Sequence, residues 1–246
     1  MDVYGVPQHG TIWADDLRIG CLRHKLIPSA RPAWEVPEEL RELRGEELLD
    51  AIRHRPEPFF IKTHRLVDAQ TDDLALYVVR DGRDSLVSHA VWVKEQKIPR
   101  FEGLSFNERL AHLIHPGVRS YGTWSESVMT WTKRDAPVSL IRFEDLVEDA
   151  PAAVSRACGE VGVELPPATG QMLDFDYLRE VVPKVFRKGK IGSWRDEMPD
   201  HLQERFIRIH GPAMRELGYL SAGTFRDAIR LGRNRRRSRF HLGFSN

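Results

Sequence analysis

The sequence has few cysteines, no long apolar run and almost no excess charge, and each absence excludes a class of protein. Its two cysteines, Cys21 and Cys158, are far apart and outside any metal-like spacing, so neither a disulfide framework nor a cysteine metal site is predicted. The longest apolar runs, such as residues 74–79, have the length of a strand and are too short to cross a bilayer. A formal net charge of +1 argues against nucleic-acid binding through bulk positive charge.

What remains is an ordinary globular composition, with 246 residues, 41% hydrophobic and 30% charged. This favours one α/β domain over residues 1–246. No basic region followed by an apolar stretch opens the chain, so we expect no signal peptide, no membrane partner and a cytoplasmic protein. Residues 220–246 are predicted to be a basic tail, solvated rather than used to bind nucleic acid or a membrane surface.

Short apolar runs alternate with helical patterns along the chain, which predicts a central parallel sheet with helices on both faces. Strands are predicted over residues 2–6, 59–63, 74–79 and 138–142. Helices are predicted over residues 11–22, 37–52, 85–93, 106–114, 122–133, 151–161 and 199–217, the last ended by Gly218. Ligands of such sheets lie beyond the carboxyl ends of the strands, against helix N-termini.

The stretch YVVRDGRDSLVS, residues 77–88, ends a predicted strand at Arg80. Asp84 is placed to cap the helix that follows, and Ser88 lies within that helix. A guanidinium and a hydroxyl at a helix N-terminus suit an anionic group such as phosphate. The alternative is a surface arginine paired with Asp81 or Asp84.

Two further stretches have polar side chains at a strand end or in a loop. FFIKTHRL, residues 59–66, presents Lys62 and His64 on the same side of a strand, where a histidine can act as general base beside an ammonium group. FRKGKIGSWRDEMP, residues 186–199, places two cations before Gly189 and Gly192, so its backbone N–H groups could approach an anion. Taken alone, the histidine could equally be a polar loop residue and the basic stretch a solvated loop.

Together these stretches resemble the sulfotransferases that use 3′-phosphoadenosine 5′-phosphosulfate (PAPS). Residues 77–88 are similar to the family's 3′-phosphate motif, residues 187–194 to its RKGxxGxW loop, and residues 62–64 to its KTH segment. YGTWSESVMTW and IRFEDL also follow in the family's order, and the resemblance extends to Tyr219. It implies a P-loop-like nucleotide-binding architecture and a metal-free transfer of a sulfuryl group to a hydroxyl or amine.

The resemblance also implies roles for individual residues. His64 would be the general base and Lys62 would neutralise charge at the transferring group. The 3′-phosphate would be held by Arg80, Ser88, Arg187, Lys188 and the Gly189 N–H. Phe143 and Trp13 are where the family places aromatic rings around the adenine, although both could be core residues.

The match departs from the family at its 5′-phosphosulfate loop, which normally reads PKSGTTW. Here it is PQHGTIW, residues 7–13, so Gln8 replaces the lysine and His9 the serine, while Gly10, Thr11 and Trp13 are retained. The helix N-terminus and the Gly10 and Thr11 N–H groups would still receive a phosphate. Loss of the lysine charge would raise the barrier by roughly 1–3 kcal/mol.

Two other functions stay open on the sequence. One is a catalytically weakened protein that binds PAPS or 3′,5′-adenosine bisphosphate, favoured by Gln8 and opposed by the retained His64. The other is a P-loop small-molecule kinase, ranked lower because no GxxxxGK followed by Ser or Thr occurs. The acceptor is expected to contact loops over residues 26–34, 93–104 and 167–177. Aromatic residues in or beside these loops would suit a phenol or a lipophilic alcohol, although they could also be core residues. They are Trp34, Trp92, Phe101 and Phe175. Oligomeric state is left open.

Overall fold

The computed structural model describes residues 8–13, 16–18, 38–40, 43, 45–55, 60–63, 66, 73–115, 122–164, 175–181 and 188–221. Its strands are β1 (Gln8–Trp13), β2 (Asp16–Arg18), β3 (Phe60–Thr63), β4 (Ala75–Val79) and β5 (Val138–Arg142). Its helices are α1 (Gly45–Arg53), α2 (Gly82–Glu95), α3 (Phe106–Ile114), α4 (Trp124–Thr132), α5 (Phe143–Glu160), α6 (Phe175–Val181), α7 (Trp194–Glu197) and α8 (Asp200–Glu216). Short 3-10 turns cover Glu38–Leu40 and Pro99–Phe101.

The strands form two small sheets in the described part of the chain. In one, β1 lies between β2 and β3, parallel to β3 and antiparallel to β2. In the other, β4 lies beside β5. Helices follow strands along the chain, as in β4–α2 and β5–α5. The α/β class and the presence of parallel pairing are therefore confirmed.

The helix predicted over residues 11–22 is wrong for every residue of that range that the structure describes. Thr11, Ile12 and Trp13 continue β1, and they pair with Arg18, Leu17 and Asp16 of the antiparallel β2. β-branched and aromatic side chains favour strands, and pairing on both sides of β1 outweighs the helix-like spacing of apolar residues. The strand predicted over residues 2–6 lies outside the described residues.

Other predicted elements are confirmed with changes at their ends. The strands over residues 59–63, 74–79 and 138–142 and the helix over 106–114 are present within a residue where described. The prediction over 37–52 merged a 3-10 turn with α1, because Leu43 between them is not helical. The helix predicted to begin at Pro151 begins at Phe143 instead. It is kinked at Asp149, whose carboxylate accepts a hydrogen bond from the Ala152 N–H, so the proline marks the restart of the helix.

The chain falls into two compact units, Met1–Val78 with Thr130–Gly189, and Val79–Met129 with Lys190–Asn246. The core of the second unit is formed by α2, α3, α7 and α8 around the fully buried Phe206, Leu110 and Ile114. The first has smaller apolar clusters, one around Leu48 and one around Ile141. A single domain over the whole chain thus stays a prediction.

The end of α8 was read correctly from its glycine. Gly218 has φ of 74°, its N–H donates to the Arg215 carbonyl, and the Tyr219 N–H donates to the Met214 carbonyl. This is the Schellman arrangement, which satisfies carbonyls at a helix end. Leu220, where the basic tail was predicted to begin, is buried in the core of its unit, and residues 222–246 lie outside the described residues. Within the described part of the chain, no helix is long and apolar enough to cross a membrane.

Candidate active site

The start of α2 follows directly from the end of β4. Val79 ends the strand, Arg80 follows it, and the helix begins at Gly82. Asp81 is the N-cap, since its carboxylate accepts a 2.9 Å hydrogen bond from the Arg83 N–H. The prediction that Asp84 caps this helix is therefore wrong. Asp81 is the cap and Gly82 the first residue of α2, so Ser88 lies in the second turn of the helix.

Asp81 is fully engaged by a neighbouring arginine. Arg83 donates to both carboxylate oxygens, at 3.0 Å from Nε and 2.6 Å from Nη2, and both side chains are about nine-tenths buried. The Arg83 guanidinium also lies 3.6 Å from the centroid of the Trp194 ring. Such a bidentate pair stacked on an aromatic ring is among the stronger polar contacts in proteins, so it ties the start of α2 to α7.

Asp84 holds the segment before α7. Its side chain is completely buried and accepts hydrogen bonds from the Gly192 N–H at 2.6 Å, the Trp194 N–H at 2.9 Å and the Ser193 hydroxyl at 3.1 Å. Two of these donors are backbone groups at the N-terminus of α7, which has no capping side chain of its own. Asp84 therefore caps a different helix from the one that carries it.

Arg80 lies between these two anchors. Its Nη2 donates a 2.7 Å hydrogen bond to the Lys190 carbonyl and lies 3.8 Å from the Asp84 carboxylate. The ion pair is longer than the 2.7–2.9 Å typical of a charge-assisted hydrogen bond. Of the two carboxylates considered as partners of Arg80, Asp84 forms this long ion pair, and Asp81 is bound by Arg83. One fifth of the Arg80 side chain remains exposed.

The donor chemistry at the start of α2 fits a phosphate group. Arg80 carries a positive charge, the half-buried Ser88 lies four residues after Asp84 on the same face of α2, and the helix N-terminus carries a partial positive charge. The Asp84 carboxylate already accepts hydrogen bonds from three donors. A guanidinium and a hydroxyl beside a helix N-terminus are what phosphate oxygens require.

The glycines of the basic loop are required by their conformations. Gly189 has φ of 61°, and a Cβ there would lie 2.6 Å from the Phe175 ring in the same unit. Gly192 has φ of 78°, and a Cβ would lie 2.1 Å from Nη1 of Arg195. Both positions favour glycine, because other residues rarely adopt such φ values. Lys188 is exposed, and Arg187 lies outside the described residues.

The segment predicted to be the 5′-phosphosulfate loop has a different structure. Gln8, His9, Gly10, Thr11 and Trp13 all lie in β1, so the expected loop and the helix N-terminus behind it are not formed there. The pairing of β1 with β3 shifts register between His9 and Thr11, so Gly10 lies at an irregularity of the ladder. The strand ladder uses much of the N–H capacity that the loop was expected to offer.

The predicted catalytic and adenine-binding residues are described only in part. Lys62 lies in β3, and His64 lies outside the described residues. Phe143 is the half-buried first residue of α5, directly after β5. Their proposed roles remain predictions.

Of the aromatic residues considered for an acceptor pocket, Phe101 belongs to the core of its unit. Trp92 is exposed on α2 with its ring edge-on to His89, and Phe175 packs against Gly189. Trp34 lies outside the described residues. Phe101 is thus a core residue, and Phe175 contacts the basic loop at Gly189.

The sequence analysis did not predict that Arg83 binds Asp81 and stacks on Trp194, or that Asp84 holds the segment before α7. Asp84 was interpreted as a local cap, and Arg83 was not singled out. The available signal was the spacing of Asp84 and Ser88, since residues four apart share a face of a helix. The small residues Gly192 and Ser193 offered the matching N–H and hydroxyl donors, but their approach to Asp84 spans more than a hundred residues of sequence.

Comparison with known proteins matches residues 35–218 to the sulfotransferase domain family. The 3-alpha-hydroxysteroid sulfotransferase of Cavia porcellus is 23% identical over 239 residues, covering 85% of this chain and 81% of that protein. Sulfotransferase 1E1 of Mus musculus is 24% identical, covering 71% of this chain and 69% of that protein.

Two solved structures resemble the fold. Mouse sulfotransferase SULT7A1 complexed with PAP has a TM-score of 0.52 at 18% identity and covers 78% of this chain and 77% of its own. Retinol dehydratase in a complex with retinol and PAP has a TM-score of 0.50 at 21% identity, covering 69% and 57%. The resemblance noted in the motifs thus agrees with a family match over most of the sequence, and the chain belongs to the sulfotransferase family.

Proposed function

We propose that this chain transfers the sulfuryl group of PAPS to a hydroxyl or amine of a small-molecule acceptor in the cytoplasm. The observation that carries the proposal is the start of α2, where Arg80 is held by the Lys190 carbonyl and Asp84 beside the segment that belongs to the family's RKGxxGxW loop. Two structural neighbours were solved with PAP, the 3′,5′-adenosine bisphosphate left after transfer.

One group of residues binds the donor, and a second group carries out proton transfer and charge stabilisation. Arg80, Ser88, Arg187, Lys188 and the Gly189 N–H hold the 3′-phosphate, while Phe143 and Trp13 contact the adenine. The donor supplies the sulfuryl group. His64 accepts the proton of the acceptor as it attacks, and Lys62 stabilises negative charge at the reacting centre. Fixing the donor at its 3′-phosphate contributes by orientation, which can supply a large part of a rate enhancement.

The acceptor class follows from what the known relatives are named for and from exposed aromatic surface. Relatives and neighbours include a hydroxysteroid sulfotransferase and a protein solved with retinol. Trp92 is the exposed aromatic residue on α2, and its ring suits an apolar partner. A phenol or a lipophilic alcohol is therefore the acceptor proposed here.

A second candidate function is binding of PAPS or 3′,5′-adenosine bisphosphate with little transfer. It is favoured by Gln8 in place of the family lysine and by the strand conformation of Gln8–Trp13, which leaves the 5′ end of the donor with fewer contacts. A kinase ranks below both, and dependence on magnesium would identify it, because sulfuryl transfer from PAPS needs no metal.

The test is calorimetric titration of the purified protein with 3′,5′-adenosine bisphosphate. Micromolar or tighter binding is expected, and it should be lost in an Arg80→Ala/Arg187→Ala variant. Arg156→Ala is the matched control, because this arginine pairs with Asp145 and Glu160 on α5 and should leave binding unchanged. No binding by the unaltered protein would refute the donor site. Transfer from labelled PAPS to a panel of phenols and alcohols then separates the enzyme from the binding protein.

A further inference from the structure

Asp84 is an unusual residue to find beside a site for a phosphate. Its carboxylate is fully buried and lies 3.8 Å from Arg80. By charge alone it repels an anion, so simple electrostatics predicts that removing the charge would strengthen phosphate binding. The hydrogen bonds of Asp84 point to a second effect, which this electrostatic argument leaves out.

All the hydrogen bonds shown for Asp84 go to one short segment. Gly192, Ser193 and Trp194 each donate to it, and none of these three donors lies on α2. Hydrogen bonds to a buried carboxylate are stronger than neutral ones, and breaking them leaves several buried groups unsatisfied. Asp84 thus fixes residues 192–194 to α2 with three hydrogen bonds, beside the stacking of Arg83 on Trp194 and the hydrogen bond from Arg80 to the Lys190 carbonyl.

The same segment supplies the acceptor that orients Arg80. The Lys190 carbonyl receives the 2.7 Å hydrogen bond from Arg80 Nη2 and lies two residues before Gly192, which is itself bound to Asp84. Asp84 therefore acts on Arg80 twice, directly through the long ion pair and indirectly through the position of Lys190. A long, flexible arginine side chain loses less entropy on binding when it is already oriented.

We propose that Asp84 is a positioning residue that orients the Arg80 guanidinium for the 3′-phosphate of the donor. The inference rests on the proposed function and names how this chain prepares that site. It differs from a purely structural role, because the effect should fall on the 3′-phosphate and not on the rest of the nucleotide.

The experiment compares the affinities of 3′,5′-adenosine bisphosphate and 5′-AMP for the unaltered protein and for Asp84→Asn. The amide keeps the shape but presents N–H groups to donors, so the preference for the 3′-phosphate should fall about tenfold or more, with 5′-AMP affinity within about twofold. A preference that stays the same or rises would overturn the inference. Absence of nucleotide binding in the unaltered protein would instead refute the proposed function together with it.

A double-mutant cycle tests whether Asp84 acts through Arg80. In an Arg80→Ala background, Asp84→Asn should reduce the 3′-phosphate preference by less than about twofold, because the group being oriented is gone. Equal losses in both backgrounds would contradict the proposal. Val93→Ala, a buried change on the same helix, is the control that lowers stability without changing the preference.

Two further measurements keep the proposal testable if Asp84→Asn folds poorly. Ser193→Ala removes one of the three hydrogen bonds and should lower the preference by about two- to threefold. Hydrogen exchange of the Gly192 and Trp194 amides should be faster in Asp84→Asn than in Val93→Ala. Unchanged preference in Ser193→Ala together with unchanged exchange at both amides would overturn the role of Asp84 as the anchor of the segment.

Discussion

Burial of His210 on α8 should make the stability of this protein fall in mild acid. The side chain has no exposed surface, and its Nε2 lies 3.1 Å from the Ile114 carbonyl. Because a carbonyl only accepts, Nε2 carries the proton, and Nδ1 accepts a 2.8 Å hydrogen bond from the Ser125 hydroxyl. Both ring nitrogens are thus used by the neutral form.

The magnitude follows from the shift of the titration. Burial lowers the pKa of His210 from its ordinary value of 6.5 to about 4, against smaller opposing effects of the Ile114 carbonyl and the Glu126 charge. The unfolded chain therefore takes up a proton at a higher pH than the folded protein does. Stability is full above pH 6.5 and is lost as pH falls toward 4, by about 3 kcal/mol in all and about 2 kcal/mol by pH 5.

The assay is urea unfolding near pH 7.5 and pH 5 for the unaltered protein and for His210→Gln, whose amide can replace both hydrogen bonds without titrating. The variant should lose about 2 kcal/mol less than the unaltered protein over this interval. NMR titration of the His210 ring should show no protonation above pH 5. Equal pH dependence of the two proteins, or a ring that titrates near pH 6.5, would refute the reasoning.

Three other changes test separate parts of the structure. Gly82→Val should destabilise the protein by about 1–3 kcal/mol in urea unfolding, because a Cβ there would lie 2.6 Å from Phe206 and 2.7 Å from Trp124; an unchanged midpoint would contradict this packing. Gly218→Ala should cost about 1–2 kcal/mol in the same assay, since φ of 74° is unfavourable for alanine, and no loss would argue against the Schellman end of α8. His64→Ala should reduce sulfuryl transfer about 10²–10⁴-fold at nearly unchanged affinity for 3′,5′-adenosine bisphosphate, and substantial residual turnover would exclude it as the base.

Much of the fold could be predicted from local sequence. Continuous apolar runs identified β3 and β4, and residues 138–142 were also predicted as a strand, which is β5. The pattern over residues 106–114 identified α3, which begins with a Ser105–Glu108 capping box. The N-terminal segment was not predictable in the same way. Residues 11–13 have apolar positions compatible with a helix, and only pairing with β2 and β3 places them in a strand.

The candidate site was also predictable only in part from local sequence. The motif around Arg80 and Ser88 was recognisable because its residues lie within one strand–helix unit, where sequence spacing implies spatial order. The different functions of Asp81 and Asp84 were not recognisable from the sequence, since both are acidic residues near a helix start. Which one caps α2 depends on where the helix begins, and the structure places that start at Gly82, directly after Asp81.

The sequence by itself determined the α/β class, the family, and the residue types suited to an anionic donor, because these depend on composition, periodicity and short motifs. Only the tertiary structure decided that Asp84 binds Gly192, Ser193 and Trp194. Hydrogen bonds between residues more than a hundred positions apart have no periodic signature. They form because a buried carboxylate must find donors wherever the folded chain brings them.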